Sequence, residues 1–286
     1  MQKDETVHHS AEPITPLTLK QEYEEMVGKD LAAIRSDPEK CEAAAQRLKT
    51  EADQLFSDDS DVSKYRMAFR YQAAARIYES LAESATDVRH KRRYYESAGS
   101  LYHFSGHAFR KQEEYRWSGN SYAQSGACFQ KQFELLADSG KKERVAACEN
   151  AIRSYSRAKG VYGEVGDFHL SGETYLIEQK LRQELYFLTN FRKGVAFAIW
   201  GTMTGYGESL GRWFSGYLIG ILAFAIALRI SPGMGWRGAF VTSVERSMLI
   251  PGPDSGTALL VAQFAYAYFN LGLGLSLITR KMATRG

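Results

Sequence analysis

Glu245 and Asp254 lie between two apolar runs, and Gln263, Tyr266 and Asn270 lie inside the second of them. Carboxylates ringed at the mouth of a pore favour cations. Amide and hydroxyl groups inside an apolar barrier need water or a neighbouring helix, because lipid offers them no partner. At steps of three and four residues Gln263, Tyr266 and Asn270 share one helical face, which Gly274 continues. That face either lines a water-filled path or bonds helices together, and both readings expect an oligomer. No other chemistry competes. The sequence has no phosphate loop and no metal-ligand cluster, His90, His103, His107 and His169 are scattered, and neither catalytic residues nor a cofactor are expected.

The elements that must position these groups are the runs themselves, residues 213–230 and 257–278. The first carries no charge before Arg229 and the second none at all, and each approaches the roughly 20 residues that span a bilayer. Between them residues 238–249 pattern as a short helix containing Thr242, Ser243 and Glu245, followed by a loop with Gly252 and Asp254. Ahead of the first run, residues 185–200 alternate aromatic and aliphatic side chains with Arg192 and Lys193, as an interfacial helix would. Thr202-Met203-Thr204-Gly205-Tyr206-Gly207-Glu208 looks like a potassium filter but precedes the first span, where no filter can work. Gly205 and Gly207 are instead expected to make a tight turn into the span.

Charge divides the chain. Residues 191–286 hold nine Lys or Arg against three Asp or Glu, so of the 36 and 33 in the whole chain, 27 and 30 fall in residues 1–190. The basic excess flanks the apolar runs, at Arg192, Lys193 and Arg212 on one side and Arg280, Lys281 and Arg285 on the other. By the positive-inside tendency both ends face the cytoplasm, and the absence of a signal peptide at Met1 agrees. Such a distribution suits anionic lipid headgroups and not nucleic acid. Cys41, Cys128 and Cys148 read as reduced core residues.

Residues 1–17 show no periodic apolar face and are expected to be a disordered lead-in. Two amphipathic helices follow, broken at Ser36-Asp37-Pro38, where a cap and a first-turn proline are both available. Then Ser97-Ala98-Gly99-Ser100-Leu101-Tyr102 with Ser105-Gly106 reappears as Trp117-Ser118-Gly119-Asn120-Ser121-Tyr122 with Ser125-Gly126, and more weakly around Ser156 to Tyr162. Tyr102 to Tyr122 and Tyr122 to Tyr162 are steps of 20 and 40, read as one helix and then two added. Small residues permit close helix approach, and a ring one turn away fills the next gap. Arg110, Lys111, Lys131, Lys141 and Lys142 are candidates for a basic rim, although solvated helix faces carry such charges by default.

Residues 64–182 resemble the tetratricopeptide-like superfamily, in the variant of the soluble NSF attachment proteins, through Ala75-Arg76-Ile77-Tyr78 and Tyr162-Gly163-Glu164-Val165-Gly166-Asp167. The resemblance implies a right-handed superhelix whose concave face binds a protein or peptide. Gly205-Tyr206-Gly207-Glu208 with Arg212 is similar to the juxtamembrane pattern of a bacterial family of two-span channel-like modules. That resemblance implies a pore helix and filter loop between the spans and a tetramer. The filter position, residues 250–256, has two prolines and no Thr-x-Gly-Tyr-Gly, so potassium selectivity is not expected.

The expected fold class is all-α: residues 18–183 a cytosolic helical-repeat domain, 184–212 an interfacial segment, and 213–286 a two-span hairpin with an intervening pore-type helix in the cytoplasmic membrane. The expected function is a homo-oligomeric channel gated by a partner on the repeat domain. The rival is a membrane-anchored scaffold that recruits a protein and conducts nothing.

Overall fold

The computed structural model describes residues 16–33, 37–57, 60–137, 140–204, 206, 210–230, 235–248 and 257–283. Among these every regular element is helical. They form two compact units, one ending at Leu188 and one beginning at Thr189.

The first unit comprises α1 (Pro16–Ala33), α2 (Pro38–Gln54), a 3-10 turn (Leu55–Ser57), α3 (Asp61–Ser84), α4 (Val88–Lys111), α5 (Tyr115–Leu135), α6 (Lys141–Glu164) and α7 (Phe168–Thr189). Local chemistry sets the breaks. Asp37 caps α2 by accepting from the Lys40 N–H at 3.1 Å, with Pro38 in the first turn. Ser60 and Asp87 cap α3 and α4 in the same manner.

A hairpin unit recurs at an offset that the aromatic spacing hid. Helices α4 and α6 both end in a turn with one left-handed residue, Glu113 at φ 60° and Gly166 at φ 74°, 53 positions apart. The turn bonds match: the Glu114 N–H reaches the Phe109 carbonyl and the Asp167 N–H the Tyr162 carbonyl. The next helices dock alike, the Ser118 hydroxyl on the Gly106 carbonyl at 2.7 Å and the Ser171 hydroxyl on the Lys159 carbonyl at 3.1 Å. The buried pairs Leu48 and Leu101, Ala98 and Ala151, and Tyr102 and Tyr155 keep the same offset. The steps of 20 and 40 therefore miscounted helices. Tyr102, Tyr122 and Tyr162 stand on three consecutive helices, α4, α5 and α6.

Between those helices the Ser-Gly motifs form a lock. Rings of Phe129 and Tyr122 on α5 lie over Gly99 and Gly106 of α4, and rings of Tyr155 and Tyr162 on α6 lie over Gly126 and Gly119 of α5. Helix α5 thus presents rings to one neighbour and glycines to the other. Gly160, in the weaker third motif, receives no ring. Ion pairs join helices two apart: Arg93 with Glu42, Lys131 with Glu79 and Glu83, Arg92 with Glu143, and Arg110 with Glu164. Contact with the next helix and the next but one is what stacked hairpins produce.

The second unit comprises α8 (Phe191–Thr204), α9 (Leu210–Ile230), α10 (Trp236–Ser247) and α11 (Thr257–Ala283). The expected single helix over residues 185–200 is two, because Asn190 ends α7 and caps α8 by accepting from the Lys193 N–H at 3.2 Å. Residues 213–230 of α9 are long and apolar enough to cross a membrane, and only 22% of that stretch is buried. Among the described residues α9 is the one helix that meets this measure, where two spans were expected.

Candidate membrane hairpin and its polar seam

Short helix α10 packs against both long helices of the second unit, with Ala239, Thr242, Ser243, Arg246 and Ser247 buried. Its interior contacts are polar. The Ser243 hydroxyl donates to the Ile221 carbonyl of α9 at 2.7 Å, and the Gln263 amide of α11 donates to the Ser243 carbonyl at 3.0 Å. From α9 the Tyr217 hydroxyl returns to the Ser247 carbonyl at 2.7 Å. Three helices are tied at one level by groups that lipid would leave without partners.

A second tie joins α9 directly to α11. The Tyr266 hydroxyl donates to the Gly216 carbonyl at 2.9 Å, and Gly220 gives the ring room to lie against the α9 backbone. Trp213, Tyr217 and Tyr266 stack in sequence, with centroid separations of 5.9 and 6.4 Å and planes within 9° and 6° of parallel. The Trp213 indole N–H donates to the Asn270 carbonyl at 3.1 Å, and its ring covers Gly274. The Asn270 amide donates to the Tyr266 carbonyl one turn back.

The four stripe residues Gln263, Tyr266, Asn270 and Gly274 therefore do share one face, and that face is turned inward onto α9 and α10. The oligomer expected from this stripe is therefore not needed to cover it. Helix α10 is the third element that shields it within one chain. The apolar residues point the other way: Ile219 and Leu222 of α9, and Phe269 and Leu275 of α11, are exposed.

Thr242 and Ser243 are buried in the seam, while Glu245 is half-buried on the last turn of α10. Gly252 and Asp254 lie outside the described residues, as do Gly205, Gly207 and Glu208, and of Arg212 only the helical backbone is described. Tyr206 is described, and it adopts the left-handed conformation itself at φ 57°. Its ring packs with Phe197 and Trp200 of α8, each 5.8 Å away between centroids, and lies against Gly201.

Sequence reasoning missed Arg246 and Ser247, fully buried on α10, and Trp213 and Tyr217, which pair with the stripe. Arg246 was visible as a charge on the inward face of an amphipathic segment, at i+3 from Ser243. Among the described residues no group of three or more His, Cys, Asp or Glu is placed to hold a metal. His103 and His107 stand one turn apart on α4, and His103 meets the Arg157 guanidinium. Compared with known proteins, the chain matches no family model and none of the curated proteins.

Proposed function

We propose that this chain is an oligomeric, channel-like protein of the cytoplasmic membrane. In this reading α9 and α11 cross the bilayer with both ends cytoplasmic, and α10 is a re-entrant helix between them. The first unit, a tetratricopeptide-like stack with a longer repeat than the usual 34 residues, binds a protein or peptide and gates the hairpin. A pore of non-potassium selectivity controlled in this way would serve a bacterium as a membrane-permeabilising effector.

The observation that carries the reading is the placement of α10. A short helix is fixed into an apolar hairpin by the buried Ser243–Gln263 and Ser243–Ile221 contacts, while the long helices turn apolar side chains outward. An anchor has no use for such a helix, whereas a pore needs a rigid support for the loop that follows it. Glu245 sits where that loop begins, and Asp254 falls within it in the sequence.

The alternative, an anchored scaffold, is favoured by a different observation: Gln263, Tyr266 and Asn270 all donate hydrogen bonds inside one chain, which leaves, of their buried side-chain atoms, only the Gln263 oxygen without a partner among the described residues. Ion flux through purified protein in liposomes separates the two. Flux that Glu245→Gln and Asp254→Asn reduce supports the pore. Folded, oligomeric protein that passes no cation or anion with or without a bound repeat-unit partner supports the scaffold.

A further inference from the structure

In the first unit an open cavity of about 710 Å³ runs between α4, α6 and α7. Four arginines line it: Arg110 from α4, Arg153 and Arg157 from α6, and Arg182 from α7, against one carboxylate, Glu149. Two of the four are engaged, Arg110 with Glu164 at 2.7 Å and Arg182 with the buried Glu178 at 2.6 Å. Arg153 and Arg157 have no carboxylate partner among the described residues. The Arg157 guanidinium instead lies over the Tyr122 ring and donates to the His103 imidazole. Burial, followed by Arg157, pushes His103 down to about 4, and burial followed by Lys111 lowers His107.

We infer that this cavity is a binding site for a small phosphate-bearing molecule. Guanidinium forks meet phosphate oxygens in pairs, and a tetrahedral group can accept from several forks at once. All four cations lining the cavity are arginine and none is lysine. The volume lies within the range of small-molecule sites, and Gly160 leaves the floor open on α6. Ile152 and Leu185 are the apolar lining, too little to seat the side chains of a peptide. Arg153 and Arg157 bind the phosphate, Arg110 and Arg182 flank it, and the carboxylates that hold those two fix their orientation. The assignment does not depend on whether the hairpin conducts.

Titration calorimetry on the detergent-purified full chain tests it, with inorganic pyrophosphate, ADP and dioctanoyl phosphatidic acid as probes. Pyrophosphate is expected to bind saturably, about tenfold or more weakly in Arg153→Gln and in Arg157→Gln, and unchanged in Lys141→Gln, which lies outside the cavity. Circular dichroism identical to the parent keeps the variants comparable. ADP binding tighter than the phosphatidic acid supports a soluble nucleotide-like ligand, and the reverse order supports a lipid headgroup. Absence of pyrophosphate binding at millimolar concentration, equal weakening by Lys141→Gln, or tighter binding of a pentaglutamate peptide than of pyrophosphate would each overturn the assignment.

Discussion

Tyr162 of α6 lies on Gly119 of α5 so closely that a methyl group on the glycine would stand 2.6 Å from the ring. The ring has no room to yield, being buried and held by its hydroxyl on the Asn120 side chain at 2.8 Å. The contact recurs at Gly126 with Tyr155, seven residues along each helix, so α5 and α6 are set in register by two rings seated on backbone.

Gly119→Ala should therefore destabilise the first unit. Helix propensity alone predicts a gain of about 1 kcal/mol, but overpacking against a fixed ring costs roughly 1–3 kcal/mol, so the net is a loss of about 1 kcal/mol. Gly160→Ala, on an exposed turn of α6 with no atom within 4 Å of the new carbon, should gain about 1 kcal/mol. Urea unfolding of both variants checks the opposite signs, and two gains would remove the lock.

His103 makes the first unit sensitive to acid. Burial, followed by Arg157, lowers its folded value from 6.5 to about 4. Between those values the unfolded chain binds the proton and the folded chain does not. Stability from this site is complete above the unfolded value and falls as pH drops from about 6.5 toward about 4. In His103→Gln that part of the decline should vanish, which unfolding midpoints measured across the window will show.

Glu178 is fully buried on α7 and accepts from Lys159 at 2.7 Å and from Arg182 at 2.6 Å. Glu178→Gln leaves two cations facing each other. Breaking a buried pair costs about 3–5 kcal/mol. Because Lys159 and Arg182 both reach solvent, a loss of about 2 kcal/mol is expected, read from urea midpoints and shrinking in high salt.

Several of these relationships were legible in the sequence. Asp37 with Pro38 announced a helix start, and the alternation of small residues with Tyr announced close packing. The repeat length was not legible, because the two clearest Ser-Gly motifs lie on α4 and α5, which are partners in one hairpin and not copies of each other. Matching them returned the step within a hairpin in place of the 53-residue step between hairpins. The stripe from Gln263 to Gly274 was visible because a helix places those residues on one face. Which way it turns depends on Ser243 and Trp213, some 20 and 57 residues away from their partners, and periodicity carries no such information. The arginine cavity was hidden for the same reason, its walls coming from three helices, and the proposed basic rim shares only Arg110 with it.

The tightest contact in the hairpin supplies the last test. Tyr266 rests on Gly220, and its hydroxyl reaches the Gly216 carbonyl of the same helix. Tyr266→Phe removes the hydrogen bond alone and, with α9 and α11 in a bilayer as proposed, should cost about 0.6 kcal/mol, the mean for polar contacts between membrane helices, and at most about 1.7 kcal/mol. Gly220→Ala drives a methyl group into the phenol and should separate α9 from α11, with a larger loss than Tyr266→Phe. Tyr266→Leu empties the space above residue 220, so Gly220→Ala added to it should cost little. Thermal unfolding in lipid nanodiscs gives the coupling between the two sites. Strictly additive losses would show that the ring and the glycine do not set the helix spacing.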